Sequence, residues 1–346
     1  MALLDQATSR AFVADCPVAV GFSGGVDSSV VLKAALEKAH LVSAITVFSP
    51  LTAQTDENLR RARAVAELLG VTVLEVPFVL PPFDAMLGVL HATLDLPCAE
   101  PLVMHSDALH AAAGAQARVL VGGQGADEVF GGYARYRVLL AGGKRSGTRE
   151  WMAASLWERW NRTAQWPHLA DALFSDEFTS AVDLPQDGVD RPAAYGFCED
   201  TDPMLFGQAL DLFQLMCYDN FRVGDENGIF RGVEVRSPFF DIDLIAGVFA
   251  RPAGQRINPA NPKHLLKRVF ARSPLEHLFD EPKVGFDDNF PYPDWIAGNW
   301  AHFSDVIASG PLVKQGILRD GILRQLPRLD WRSQWRLFAL SAWLTR

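Results

Sequence analysis

The chain has 346 residues, 49% of them apolar, and a formal net charge of −9. The apolar share supports a sizeable core in one large or two ordinary domains, the acidic balance argues against a broad nucleic-acid surface, and no apolar run approaches the ~20 residues that span a bilayer. Cys16, Cys98, Cys198 and Cys217 are widely spaced with no Cys-x-x-Cys, and Met1-Ala-Leu-Leu-Asp-Gln lacks the basic-then-apolar order of a secretory leader, so a reduced, cytoplasmic setting is expected.

In chain order, the first part alternates short apolar runs with helical spacing. Val18–Phe22, Leu41–Phe48, Val71–Val76 and Arg118–Gly122 read as strands, with helices over about Val26–Ala39, Asp56–Leu69 and His105–Ala115 between them. Pro77 to Pro82 interrupts the alternation as a surface connection. Strands separated by helices predict an α/β fold with a parallel, doubly wound sheet. Near residue 145 the pattern changes. Gly142 to Gly147 reads as a linker, all nine tryptophans lie at or beyond Trp151, and helical spacing takes over at Thr148–Trp160, Phe206–Cys217, Lys263–Ala271 and Arg332–Leu344. The expected organisation is therefore an α/β domain over residues 1–145. A mainly helical C-terminal part over 146–346 packs on the ligand edge of the sheet and completes the site, its tryptophans serving as core.

Two strand ends carry the chemistry. After Val18–Phe22 come Ser23-Gly24-Gly25-Val26-Asp27-Ser28-Ser29 and then a helix, whose amino end offers backbone N–H groups and the positive pole of its dipole to an anion. This turn resembles the PP-loop of the ATP pyrophosphatases, which cleave ATP to AMP and pyrophosphate. Ser23, Gly24, Gly25, Asp27 and Ser28 are its candidate nucleotide-binding residues. The second strand end, Arg118-Val-Leu-Val-Gly122-Gly123-Gln124-Gly125-Ala126-Asp127-Glu128, again closes on glycines and an acid. If the first and fourth strands are neighbours, both turns flank the topological switch point and Asp27 faces Asp127. Two carboxylates there suit Mg²⁺ on triphosphate oxygens, because that ion takes few protein ligands and completes its shell with phosphate and water. Taken singly, Asp127 also reads as a helix N-cap.

The run Gly123-x-Gly125-Ala126-Asp127-Glu128-x-Phe130-x-Gly132-Tyr133 is similar to the signature of the asparagine synthetase family's synthetase domain. Gly232-Val-Glu234-Val-Arg236-Ser237-Pro238-Phe239-Phe240-Asp241 resembles a further block, and Asp280-Glu-Pro-Lys283-Val-Gly285-Phe286 resembles its lysine-bearing loop. The blocks follow the PP-loop in family order, from about residue 5 to about residue 300. The resemblance implies a two-step reaction using ATP and Mg²⁺: a small-molecule carboxylate is adenylated with release of pyrophosphate, and ammonia or an amine then attacks the acyl-adenylate. It assigns Asp27 and Asp127 to the metal, Gly123 and Gly125 to the nucleotide, Val47 and Phe48 to the adenine, and Lys283 to the charge on the leaving pyrophosphate. Glu234 with Arg236 reads equally well as a structural ion pair, and Asp241 as a helix cap, so none of the three is counted as catalytic.

Three departures shape the expectation. Gln124 stands where the family usually has Glu; it is counted with Lys283 as a candidate catalytic residue, yet an amide hydrogen-bonds without acting as a base. Asp225 to Phe230 differs from the run that asparagine synthetases carry near the carboxylate pocket, which puts aspartate in doubt as the substrate. Only about 16 residues precede the first strand, with Ala at position 2, so a glutaminase domain with an N-terminal cysteine nucleophile is not expected. Nitrogen then comes from free ammonia, from a separate glutaminase subunit or from an amine. Two further readings stay open: an intramolecular amide-forming cyclase of β-lactam synthetase type, and an ATP-binding partner without turnover. No nucleic-acid or membrane partner is expected, and a homo-oligomer is compatible with the sequence.

Overall fold

The computed structural model describes residues 1–38, 42–50, 53–93, 95–98, 100–133, 136, 172–181, 202–279 and 291–346. The strands are β1 (Val18–Gly21), β2 (Val42–Phe48), β3 (Val73–Pro77), β4 (Val119–Val121) and β5 (Glu234–Arg236). The helices include α1 (Ala2–Ala11), α2 (Val26–Lys38), α3 (Ala53–Leu69), α4 (Phe83–Thr93), α5 (Val103–Gly114), α6 (Ala126–Phe130), α7 (Phe221–Phe230), α8 (Ile242–Phe249), α9 (Trp300–Ser309) and α10 (Trp331–Leu344). Packing divides the chain into two compact units, one of Met1–Pro82, Leu102–Leu140 and Asp211–Pro291, the other of Phe83–Pro101, Ala141–Leu210 and Tyr292–Arg346. The linker expected at Gly142 to Gly147, the boundary near residue 145 and the helix expected over Thr148–Trp160 lie outside the described residues.

In the first unit all five strands are parallel, in the order β3-β2-β1-β4-β5. Alternation along the strands divides their side chains between two faces. Val18, Val20, Val119 and Val121 pack with Val31 and Leu32 of α2, Val65 of α3 and Val129 of α6. Ala19, Ile45 and Leu120 turn to the other face, against Ala113 at the end of α5, Ala117 and Val233. Both faces are covered, which is why these strands read as continuous apolar runs rather than alternating ones. β1 lies between β2 and β4, with Val18 opposite both Val42 and Val119. The sheet therefore reverses its winding between β1 and β4, as expected, and both glycine turns leave it at that crevice.

Three elements differ from expectation. β5 adds a fifth strand at the sheet edge. The segment Lys263–Ala271 forms a short helix at His264–Lys267 followed by a 3-10 turn at Arg268–Phe270. The run expected to be an α-helix over Phe206–Cys217 is α-helical only over Pro203–Leu210, after which Asp211–Asn220 is a π-helix leading into α7.

The second unit is mainly helical where described, with an antiparallel bridge between Phe174 and Leu318. Phe83 of α4 packs on Phe303 of α9 and Phe338 of α10, with ring centroids 5.5 and 5.6 Å away. Trp335 is fully buried and donates its indole N–H to the Cys98 carbonyl at 3.1 Å, so its polar tip is satisfied inside the core. Asp330 caps α10, accepting from the backbone N–H groups of Arg332 and Ser333. No helix among the described residues is long and apolar enough to cross a membrane, and Cys16, Cys98 and Cys217 are unbridged.

Candidate active site

The first turn is held by its own serines. The Ser23 N–H donates to Ser28 Oγ at 3.1 Å, Ser28 Oγ donates to the Gly25 carbonyl at 3.2 Å, and Ser29 Oγ reaches the same carbonyl at 2.7 Å. Gly24 has φ +71°, and a Cβ on it would stand 2.6 Å from the Ala62 nitrogen of α3. Only glycine meets both demands. The chain then enters α2, whose first turn carries Asp27, 6% exposed. Val47 and Phe48 end β2, and the β1–β2 register sets them beside the start of this turn.

The second turn is anchored from β5 and the segment after it. The Gly122 N–H donates to the Arg236 carbonyl at 2.8 Å, and Ser237 Oγ donates to the Gln124 carbonyl at 2.6 Å. Gly125 has φ +86° and faces the ring of Phe240, which a Cβ would approach to 3.1 Å. A Cβ on Gly123 would stand 3.0 Å from Asp27 Cβ and 3.2 Å from the Ser28 nitrogen. The two turns are thus in van der Waals contact through a residue without a side chain. Gln124 folds back over Gly122 with its Oε1 buried and without a hydrogen-bond partner.

Between the turns lies a residue that sequence reasoning missed. Lys263 Nζ is 2.6 Å from Asp27 Oδ2 and 2.7 Å from Asp127 Oδ1, joining positions 236 residues apart. Its side chain is 10% exposed, and its backbone is left-handed, with φ 57°, a region costly for a residue with a Cβ. Burial works to neutralise this ammonium, but the charges and hydrogen bonds of Asp27 and Asp127 outweigh it and hold the pKa above the ordinary lysine value. Gly132 makes the room: a Cβ there would fall 1.8 Å from Asp127 Oδ1 and 2.2 Å from Lys263 Cε. In sequence, a lysine after a proline and before an apolar run looks like a solvated helix start, and no local signal marks it as buried.

Beside this centre, Glu128 is 1% exposed and accepts a 2.6 Å hydrogen bond from the Tyr133 hydroxyl. Burial, and then the neighbouring Asp127 charge, pushes its carboxyl up to about 7. The buried Asp211, at the start of the π-helix, accepts from the Tyr136 hydroxyl at 2.5 Å. Glu234 and Arg236 pair with each other, Nε to Oε1 2.8 Å, and Asp241 caps α8 through the Leu244 N–H at 3.0 Å. Each of the three thus has a structural partner. Lys283 and the rest of its loop, 280–290, lie outside the described residues.

Whether Mg²⁺ suits this centre is a matter of donors. Asp27 Oδ1 is buried with no hydrogen-bond partner, a spare hard oxygen beside a second carboxylate. Among the described residues no group of three or more His, Cys, Asp or Glu side chains is set to hold a metal alone. Two carboxylates without a third ligand fit an ion that completes its shell on phosphate and water.

A doubly wound parallel sheet with two glycine–acid turns meeting at its switch point defines an α/β protein with a crevice at that point. The Asparagine synthase family matches residues 1–345, and the chain belongs to that family. Proteins named "Putative asparagine synthetase (glutamine-hydrolyzing)" in Mycobacterium bovis and Mycobacterium tuberculosis are 27% identical over 328 residues, covering 87% of this chain and 50% of theirs. The chain thus spans half the length of these relatives. An NH3-dependent NAD synthetase from Campylobacter jejuni shares 14% identity over 38% of this chain and 57% of its own, with a TM-score of 0.26, a likeness too slight to bear on this fold.

Proposed function

We propose that this chain is an ATP-dependent amide ligase that converts ATP to AMP and pyrophosphate, adenylating a small-molecule carboxylate and passing its acyl group to ammonia or an amine. The observation that carries this reading is the meeting of Asp27 and Asp127, from two separate strand-end turns, on one cation at 2.6 and 2.7 Å. Bringing two acids together is costly unless positive charge is meant to lie between them.

In this reading Ser23, Gly24, Gly25 and Ser28, with Gly123 and Gly125, cradle the phosphates of ATP, and Val47 and Phe48 flank the adenine. Asp27 and Asp127 hold Mg²⁺, which when bound neutralises charge on the departing pyrophosphate. Lys283 adds a second positive group to the same oxygens. Gln124 orients the acyl-adenylate by hydrogen bonding; it cannot take the proton of the incoming nitrogen. That supports a nucleophile deprotonated elsewhere and favours, as a second reading, closure on an amine of the same substrate. Relatives named as glutamine-hydrolysing support glutamine-derived ammonia as one nitrogen source. The wide spacing of the four cysteines supports a cytoplasmic setting.

The test is incubation with ATP, Mg²⁺, ammonia and a panel of carboxylates, followed by mass spectrometry. An amide formed in step with AMP is the expected result. A product one water lighter than its substrate, formed without ammonia, selects the cyclase. Carboxylates left unchanged across the panel, with ATP bound but uncleaved, favour the partner without turnover.

A further inference from the structure

We infer that Lys263 makes metal binding conditional on nucleotide: it occupies the carboxylate pair as a resident cation and yields it only when phosphates arrive to receive the ammonium. The inference rests on the ligase reading above for the identity of the incoming group.

Asp27 and Asp127 carry two negative charges, and the ammonium, within 2.7 Å of both, leaves one. A divalent cation arriving alone meets a half-neutralised pair whose near oxygens are already taken. To bind, it must expel a lysine whose side chain is 10% exposed, stranding that ammonium without a counter-ion, which is costly in a buried site. A triphosphate removes the obstacle, because it brings several negative oxygens to the same crevice and completes the metal's shell. The ammonium then passes from carboxylate to phosphate, and the metal takes its place. The left-handed backbone of Lys263, φ 57°, and the space left by Gly132 show that the chain is shaped around the bridged arrangement. Lys263 thereby acts as a positioning residue for the metal, and nothing in its local sequence marks it as one.

Mn²⁺ titrations followed by electron paramagnetic resonance test this on the full chain, with α,β-methylene-ATP as the nucleotide probe. Wild type should bind Mn²⁺ at least ten-fold more tightly with the analogue than without it. Lys263→Met should bind Mn²⁺ alone at least ten-fold more tightly than wild type, whereas Lys263→Arg, which keeps the cation, should resemble wild type. A merely structural lysine would not give tighter metal binding on removal. Equal Mn²⁺ affinity in wild type and Lys263→Met overturns the inference. If Lys263→Met does not fold by circular dichroism, wild type decides: Mn²⁺ bound as tightly without the analogue as with it overturns the inference. No binding of the analogue to wild type instead overturns the ATP reading, and the Mn²⁺ comparison between wild type and Lys263→Met still decides the role of the lysine.

Discussion

Gly132 shows how closely the central charges are drawn. A methyl group there would stand 1.8 Å from Asp127 Oδ1 and 2.2 Å from Lys263 Cε, both ends of side chains able to rotate away. Gly132→Ala should therefore break the ion bridge rather than the fold, lowering stability by about 1–3 kcal/mol. Urea unfolding measures this, and an unchanged midpoint would mean that the bridge does not need the space. His105 governs a different property. It is buried against Phe78, ring centroids 3.9 Å apart, and burial pushes its pKa from 6.5 down to about 3. Below pH 6.5 the unfolded chain takes up a proton that the folded chain refuses, so stability is full above that pH and falls as pH drops toward 3. Each unit costs about 1.4 kcal/mol, or about 2 kcal/mol between pH 6.5 and 5. His105→Leu should flatten the fall in unfolding free energy over that window relative to wild type; parallel pH profiles would refute the assignment.

At the scale of elements, the cap of α8 separates structure from chemistry. Asp241 accepts from the Leu244 N–H at 3.0 Å and also pairs with the half-exposed Arg10 of α1. The cap is worth ~1 kcal/mol and the exposed pair little. Asp241→Ala should thus lower stability by about 0.5–2 kcal/mol while pyrophosphate release stays unchanged, as denaturant unfolding beside a pyrophosphate assay would show. The three inner strands, β1, β2 and β4, were legible because each carries a run of apolar side chains buried on both faces, and the edge strand β3 was legible from its apolar spacing although none of its side chains is fully buried. β5 was not, since it is three residues long at the sheet edge and only Val235 of its side chains is buried. The π-helix at Asp211–Asn220 was hidden because its wider turn leaves the apolar content unchanged. Within the site, Asp27 and Asp127 could be read from two like-patterned turns, whereas Lys263 could not. Its role arises from tertiary packing, and in sequence it precedes an ordinary apolar helix.

For the molecule as a whole, one arrangement joins fold to chemistry. The order β3-β2-β1-β4-β5 makes β1 and β4 neighbours, and the turns leaving them meet at a glycine. A carboxylate pair is thereby assembled at the one place in a parallel sheet where strands diverge and a ligand can enter. The chain belongs to the Asparagine synthase family over residues 1–345, and the proposed ligase reading places the phosphates of ATP at this crevice. The central claim concerns which phosphate bond breaks, and phosphorus-31 nuclear magnetic resonance of ATP turnover with Mg²⁺, ammonia and a carboxylate reports it directly. Cleavage between the α and β phosphorus atoms, giving AMP and pyrophosphate only when a carboxylate is present, is the predicted result. ADP and inorganic phosphate as the products would contradict it.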